Sequence, residues 1–137
     1  PVEIIKQMTK IQQHGVSHPT TFVMWAGVAA LQGDQACVEA MRKEFESRRM
    51  FLMDEFRELK VQAAPADGAF YAFINARGDD VEVAEHWLNK ARVAVTPGTA
   101  FYAPGWIRIS YATALPKLKE AMTRIKAVWN EAPERKR

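Results

Sequence analysis

Apolar positions in this chain follow two regimes. Up to about Leu59 they recur every three or four residues, and beyond Lys60 they alternate. Val2, Ile5, Met8 and Ile11 predict an amphipathic helix over Val2 to Gln13, ending near His14-Gly15, where glycine suits a C-terminal cap. Ser17 or His18 is expected to precede the next helix, with Pro19 in its first turn. That helix, Thr20 to Gln32, carries Phe22, Val23, Met24, Trp25, Val28 and Leu31 and has almost no polar face. A helix apolar all round needs cover on all sides. Either it is the central helix of a compact core, or a second domain or subunit covers it. Gly33-Asp34 ends it, and Asp34 is a candidate N-cap for a long helix over Gln35 to Leu59. The stripe of that helix is Val38, Met41, Phe45, Leu52, Phe56 and Leu59.

In the alternating half, Val61-Gln62-Ala63 reads as a short strand and Ala64 to Gly68 as a turn. Ala69 to Ile74 is the strongest strand, rich in aromatic residues. Arg77-Gly78-Asp79 follows a strand and precedes a helix, so we read a turn and a helix start rather than an adhesion tripeptide. A helix over Val81 to Ala91, a brief strand at Val93 to Val95 and a Pro97-Gly98 turn come next. A strand through Ile107, Ile109 and Tyr111 and a helix over Pro116 to Trp129 complete the pattern. The expected fold is α+β: N-terminal helices, one of them long and amphipathic, then a small, mostly antiparallel sheet with helices packed on one face.

Composition narrows the function classes. A chain of 137 residues can bury one core. Its net charge of +3 could come entirely from Arg135, Lys136 and Arg137 in a frayed, solvated tail, so no nucleic-acid partner is expected. The single cysteine, Cys37, forms no internal disulfide and suits a reducing, cytoplasmic location; we read it as a structural thiol. The most apolar run, Phe22 to Leu31, is shorter than the roughly 20 residues that cross a bilayer, so no membrane partner is expected. The sequence starts with Pro1, and we expect it to be part of a longer protein.

Self-sufficient chemistry is hard to find. There is no glycine-rich dinucleotide fingerprint, no P-loop and no G-x-S-x-G elbow. His14, His18 and His86 lack metal-site spacing. One residue stands out. Arg108 lies mid-strand, with Trp106 and Ser110, on the face opposite Ile107, Ile109 and Tyr111. A guanidinium on a rigid strand beside a glycine-punctuated loop can clamp a carboxylate bidentately. It can equally pair with a nearby acid or face solvent.

Three blocks add context: Pro65-x-x-Gly68-Ala69-Phe70-Tyr71-x-Phe73, Val93-Ala94-Val95-x-Pro97-Gly98-x-x-Phe101 and Ile107-Arg108-Ile109-Ser110-Tyr111-Ala112. Their order and spacing resemble the C-terminal part of class I/II aminotransferases, which are fold-type I pyridoxal-phosphate enzymes, and most nearly the bacterial aspartate aminotransferases. Ser17-His18-Pro19-Thr20 resembles the family's Ser/Thr-Asn-Pro segment, with His18 standing in place of asparagine.

The resemblance implies that Arg108 binds the substrate α-carboxylate. It places Gly98 in the loop leading to that strand, where either closeness to the site or a tight turn accounts for the glycine. It implies that Ser17 and His18 approach the active site of the partner subunit in a homodimer. It assigns residues 1–33 to the large-domain and dimer-interface side, 34–131 to the small domain and 132–137 to a frayed basic tail. The family's Schiff-base lysine lies in a Ser-Lys motif, and no Ser-Lys pair occurs here. We therefore expect no catalytic residue in this chain, no covalently held pyridoxal 5'-phosphate and no activity from the chain alone. The parent enzyme would move an amino group between an amino acid, by analogy aspartate-like, and a 2-oxo acid. The alternatives are a non-catalytic dimerisation or carboxylate-binding module derived from the family, and a small α+β ligand-sensing domain.

Overall fold

The computed structural model describes residues 1–131, so the basic tail at 132–137 lies outside the described residues. The chain forms two compact units, Pro1–Glu39 and Ala40–Arg137.

The first unit holds α1 (Val2–His14), α2 (Thr21–Gln32) and the start of α3 (Ala36–Glu58). Gly15 ends α1 as expected, its N–H donating to the carbonyls of Gln12 and Ile11. Pro19 lies ahead of α2 rather than in its first turn, and Thr20 takes the N-cap position. Gly33 ends α2 for a steric reason: a Cβ there would sit 2.7 Å from the Ala29 carbonyl oxygen. The Gln35 amide then donates to the Ala30 and Gly33 carbonyls at 2.9 Å each, satisfying acceptors that a helix end leaves open. Asp34 accepts from the Ala36 N–H at 2.9 Å, as a residue capping α3 should. No residue of α2 is buried: Phe22 is 73% and Leu31 85% exposed. That overturns the reading of α2 as a central core helix. Cys37 is exposed too, and is not a core thiol.

The second unit is built on three antiparallel strands, β1 (Tyr71–Asn75), β2 (Thr96–Pro97) and β3 (Trp106–Ser110), in the order β1-β3-β2. Period-2 alternation sends Ala72 and Ile74 of β1, and Ile107 and Ile109 of β3, to one face, where all four are buried. Against that face pack Leu52 and Phe56 of α3, Val83 and Ala84 of α4 (Asp80–His86), and Leu118, Met122 and Ile125 of α5 (Leu115–Val128). The stripe predicted for the long helix is thus buried at Leu52 and Phe56, while Val38 and Met41 remain exposed. Lys126 joins the two long helices, with its ammonium 2.6 Å from Glu55 and 3.0 Å from Glu58.

Two elements differ from the alternation pattern. The helix predicted over Val81 to Ala91 is α-helical only to His86, and continues as a π-turn over Trp87–Ala91. The wider turn keeps both Trp87 and Ala91 buried, and Arg92 closes it in the left-handed region at φ 58°. That reversal, with the Val93 N–H donating to the Trp87 carbonyl, keeps Val93–Val95 out of the sheet. The strand forms only at Thr96–Pro97. Val61-Gln62-Ala63 contributes a single antiparallel bridge, Ala63 to Ile74.

Candidate functional site: the outer face of the sheet

β3 is the central strand, so Arg108 is fixed from both sides: it registers with Phe73 on β1 and Thr96 on β2. Its side chain points away from the helices, among Tyr71, Phe73 and Trp106. The Phe73 and Trp106 rings stack at 5.3 Å with an interplanar angle of 17°. The Arg108 guanidinium lies over two rings at once, 4.2 Å from the centroid of Tyr71 and 4.2 Å from that of Phe101. Cation–π contacts of this kind are worth about 0.5–2 kcal/mol each. Among the described residues the Arg108 side chain makes no ion pair and no hydrogen bond. The reading in which it simply pairs with a neighbouring acid is therefore removed. What remains is a half-buried cation whose side-chain donors are unused and which lies against two aromatic rings.

Phe101 comes from a 3₁₀ turn, Gly98–Phe101, between β2 and β3. Gly98 is buried, and a Cβ on it would lie 2.2 Å from the Ala103 carbonyl oxygen and 2.8 Å from that of Trp106. Close packing of the loop on itself thus accounts for this glycine.

The loop has a second anchor that sequence reasoning missed. Asp80, only 2% exposed, accepts from the Thr99 N–H at 2.7 Å, the Thr99 hydroxyl at 3.0 Å and the Gly105 N–H at 2.9 Å. Burial pushes its carboxyl upward, but the hydrogen bonds from Gly105 and Thr99 together outweigh it and hold the group below its ordinary value. A signal was present in the doubled acid Asp79-Asp80. Asp79 caps α4, accepting from Val81 and Glu82 N–H groups at 3.0 and 3.1 Å, which leaves the adjacent acid in need of other donors. The Arg77-Gly78-Asp79 tripeptide is absorbed in the same way, as a turn and a cap.

Ser17 and His18 belong to the first unit, where both are exposed and their contacts are local. Ser17 Oγ donates to the Gln13 carbonyl at 3.4 Å, and His18 Nδ1 lies 2.7 Å from the Pro19 carbonyl. A separate cavity of about 320 Å³ opens between α3 and the turn at 66–69, and Arg108 is not among its lining residues. Among the described residues no cluster of His, Cys, Asp or Glu could hold a metal ion, and no helix is long and apolar enough to cross a membrane.

The central strand of this α+β unit thus presents an arginine with no acid partner among the described residues, its guanidinium against the Tyr71 and Phe101 rings. Residues 1–125 match the family of class I and II aminotransferases, and the chain belongs to that family. It is 35% identical over 128 residues to an aspartate aminotransferase of Thermotoga maritima, which covers 93% of this chain and 33% of the relative. Among solved structures, an aromatic aminotransferase of Pyrococcus horikoshii superposes with a TM-score of 0.89 at 38% identity, covering 96% of this chain and 37% of that one. The aspartate aminotransferase of Thermus thermophilus with maleate superposes with a TM-score of 0.86 at 36% identity, covering 93% and 35%. The chain spans about a third of the length of these relatives.

The family implies pyridoxal 5'-phosphate. That cofactor needs an amine for its imine bond and partners for its phosphate and ring nitrogen. The outer face offers Tyr71, Phe73, Asn75, Trp106, Arg108 and Ser110, and no lysine. Lys126, the lysine between α3 and α5, is already engaged by two glutamates. The residues present on this face do not fit the cofactor.

Proposed function

We propose that this chain is the carboxylate-binding, small-domain part of a pyridoxal-phosphate-dependent aminotransferase. The parent enzyme transfers an amino group between an amino acid and a 2-oxo acid. Aspartate is the favoured donor, because several of the relatives are named for it. The observation that carries the reading is the Arg108 guanidinium, oriented by two rings and left without an acid partner.

In this reading Arg108 grips the α-carboxylate through two parallel N–H···O bonds and thereby fixes the direction of the substrate's Cα–H bond. Orientation alone can lower a barrier by roughly 7–11 kcal/mol at its ideal limit. Tyr71 and Phe101, each 4.2 Å from the guanidinium, limit how it can turn. Gly98 keeps the Phe101 loop closed. The chain by itself binds but does not turn over, since the amine for the imine comes from elsewhere in the parent.

The exposed apolar surface of α2 supports a homodimer in which this helix is covered, with Ser17 and His18 reaching toward the partner's site.

The test uses the isolated chain and pyridoxal phosphate with borohydride. No transaminase activity and no stoichiometric trapping at one lysine are expected, while maleate binding should disappear in Arg108→Ala. Trapping at one lysine, or maleate affinity unchanged in the variant, would overturn the proposal.

A further inference from the structure

We propose that Asp80 is the positioning residue for Arg108: its buried carboxylate ties together the ends of the loop that carries Phe101, and so sets the orientation of the guanidinium. A buried carboxylate is costly unless its lone pairs are satisfied. Asp80 has no cationic partner among the described residues, and is held only by Thr99 and Gly105. Those two residues bracket Phe101 in sequence. The three bonds draw residue 99 and residue 105 onto one side chain at the start of α4, leaving the intervening segment to project its ring. Gly98 permits this closure, because the Ala103 and Trp106 carbonyls occupy the space a side chain would need. Phe101 itself is 43% exposed, so the core does little to hold it. Its place over Arg108 depends on the backbone that Asp80 pins.

Both carboxylate oxygens accept: Oδ2 from the Thr99 N–H, and Oδ1 from the Thr99 hydroxyl and the Gly105 N–H. In Asp80→Asn one oxygen becomes an NH₂ group, so a backbone N–H of Thr99 or Gly105 faces another donor. That loosens one end of the loop while barely changing volume. Thr99→Val removes only the hydroxyl bond and keeps the backbone bond at the same residue.

The proposal rests on the reading of Arg108 as a carboxylate ligand only for its consequence on affinity, and the experiment separates the two. The Arg108 Nε–H resonance of the chain, assigned by its loss in Arg108→Lys, should be shifted upfield by the rings of Tyr71 and Phe101. Asp80→Asn is expected to cancel about half or more of the displacement that Phe101→Leu cancels, since ring-current effects follow ring position. It should also weaken maleate binding about threefold or more, because the guanidinium is then no longer preorganised. A role confined to stability would lower the melting temperature and leave the Arg108 resonance where it is, which would overturn the proposal. If the resonance moves and maleate affinity does not, Asp80 positions Arg108 and the carboxylate reading fails. Should Asp80→Asn not fold, Thr99→Val decides: a smaller displacement in the same direction supports the proposal, and an unchanged resonance overturns it.

Discussion

The Arg108 guanidinium lies 4.2 Å from the ring centroid of Tyr71, although the residue opposite Arg108 on β1 is Phe73. The contact is diagonal. Tyr71 registers with Ser110, two residues along β3, and a long side chain reaches across that offset. The diagonal frees the ring face for the cation and leaves the direct partner, Phe73, to stack on Trp106.

This geometry makes planarity matter as much as charge. Lysine carries the charge but neither stacks as a plane nor offers two parallel donors. In the parent enzyme, Arg108→Lys and Arg108→Ala should both raise KM for the amino acid. Each should lower kcat/KM about a hundredfold, in line with the roughly 2–5 kcal/mol lost when one partner of a hydrogen-bonded charge pair is removed. Tyr71→Leu, which keeps the arginine and removes one ring, should cost less, about threefold to tenfold, in keeping with a single cation–π contact. Steady-state kinetics with varied amino donor measure all three, and a loss under threefold in Arg108→Ala would remove the assigned role.

Gly98→Ala is expected to disturb the same face from beneath. The added methyl would meet two backbone carbonyls, which cannot step aside as a flexible side-chain end can. Overpacking of this kind costs about 1–3 kcal/mol. Thermal unfolding should report that loss, and weakened maleate binding should accompany it because the loop carrying Phe101 must move. A variant with unchanged melting temperature would show that the loop relaxes freely.

Much of the second unit was legible because its core obeys simple periods. Ile107, Ile109 and Tyr111 alternate into the core as the pattern requires, and Leu118, Met122 and Ile125 follow the helical stripe. Arg108 could be singled out for the converse reason, a charge in mid-strand on the face without helices. The π-turn was not legible: one residue's widening at Trp87–Ala91 leaves the apolar spacing nearly helical. Strand β2 was misplaced for the same reason, since nothing in Val93-Ala94-Val95 reveals that Arg92 reverses the chain before it. The role of Asp80 depends on donors 19 and 25 residues away, a separation no local pattern encodes. In α2, the apolar pattern left a central core helix and a covered interface helix both open; the exposure of Phe22 and Leu31 excludes the first, because a sequence pattern cannot tell apolar surface buried within the chain from apolar surface left open.

Asp80 also predicts a pH dependence. Its carboxyl titrates below its ordinary value in the folded chain, because the Gly105 and Thr99 bonds outweigh the opposing effect of burial. The folded state therefore binds this proton less readily than the unfolded state, whose carboxyl titrates near about 3.9. The contribution is fully present above that value and is lost as pH falls through the lower folded-state value. Urea unfolding of the wild type and of Asp80→Asn across the acid range should show a stability difference that is constant near neutrality and narrows below about pH 4. A difference that stays flat into strong acid would mean that the charged form of Asp80 contributes nothing.

Arg92 offers a test of the backbone alone. It is exposed and closes the π-turn at φ 58° and ψ 37°, the left-handed region that glycine enters without steric cost. A side chain with a Cβ pays for that conformation, whereas glycine loses more freedom on folding, and the two effects oppose each other. At positive φ the steric relief is the larger, so Arg92→Gly should stabilise the chain by about 0.5–1 kcal/mol. Arg92→Ala separates this from any loss of the arginine side chain, because alanine keeps the Cβ and should be neutral or slightly destabilising. The measurement is the urea midpoint of both variants at unchanged slope, which reports stability rather than a change in the denatured state. Equal midpoints for the two would mean that the left-handed turn carries no strain.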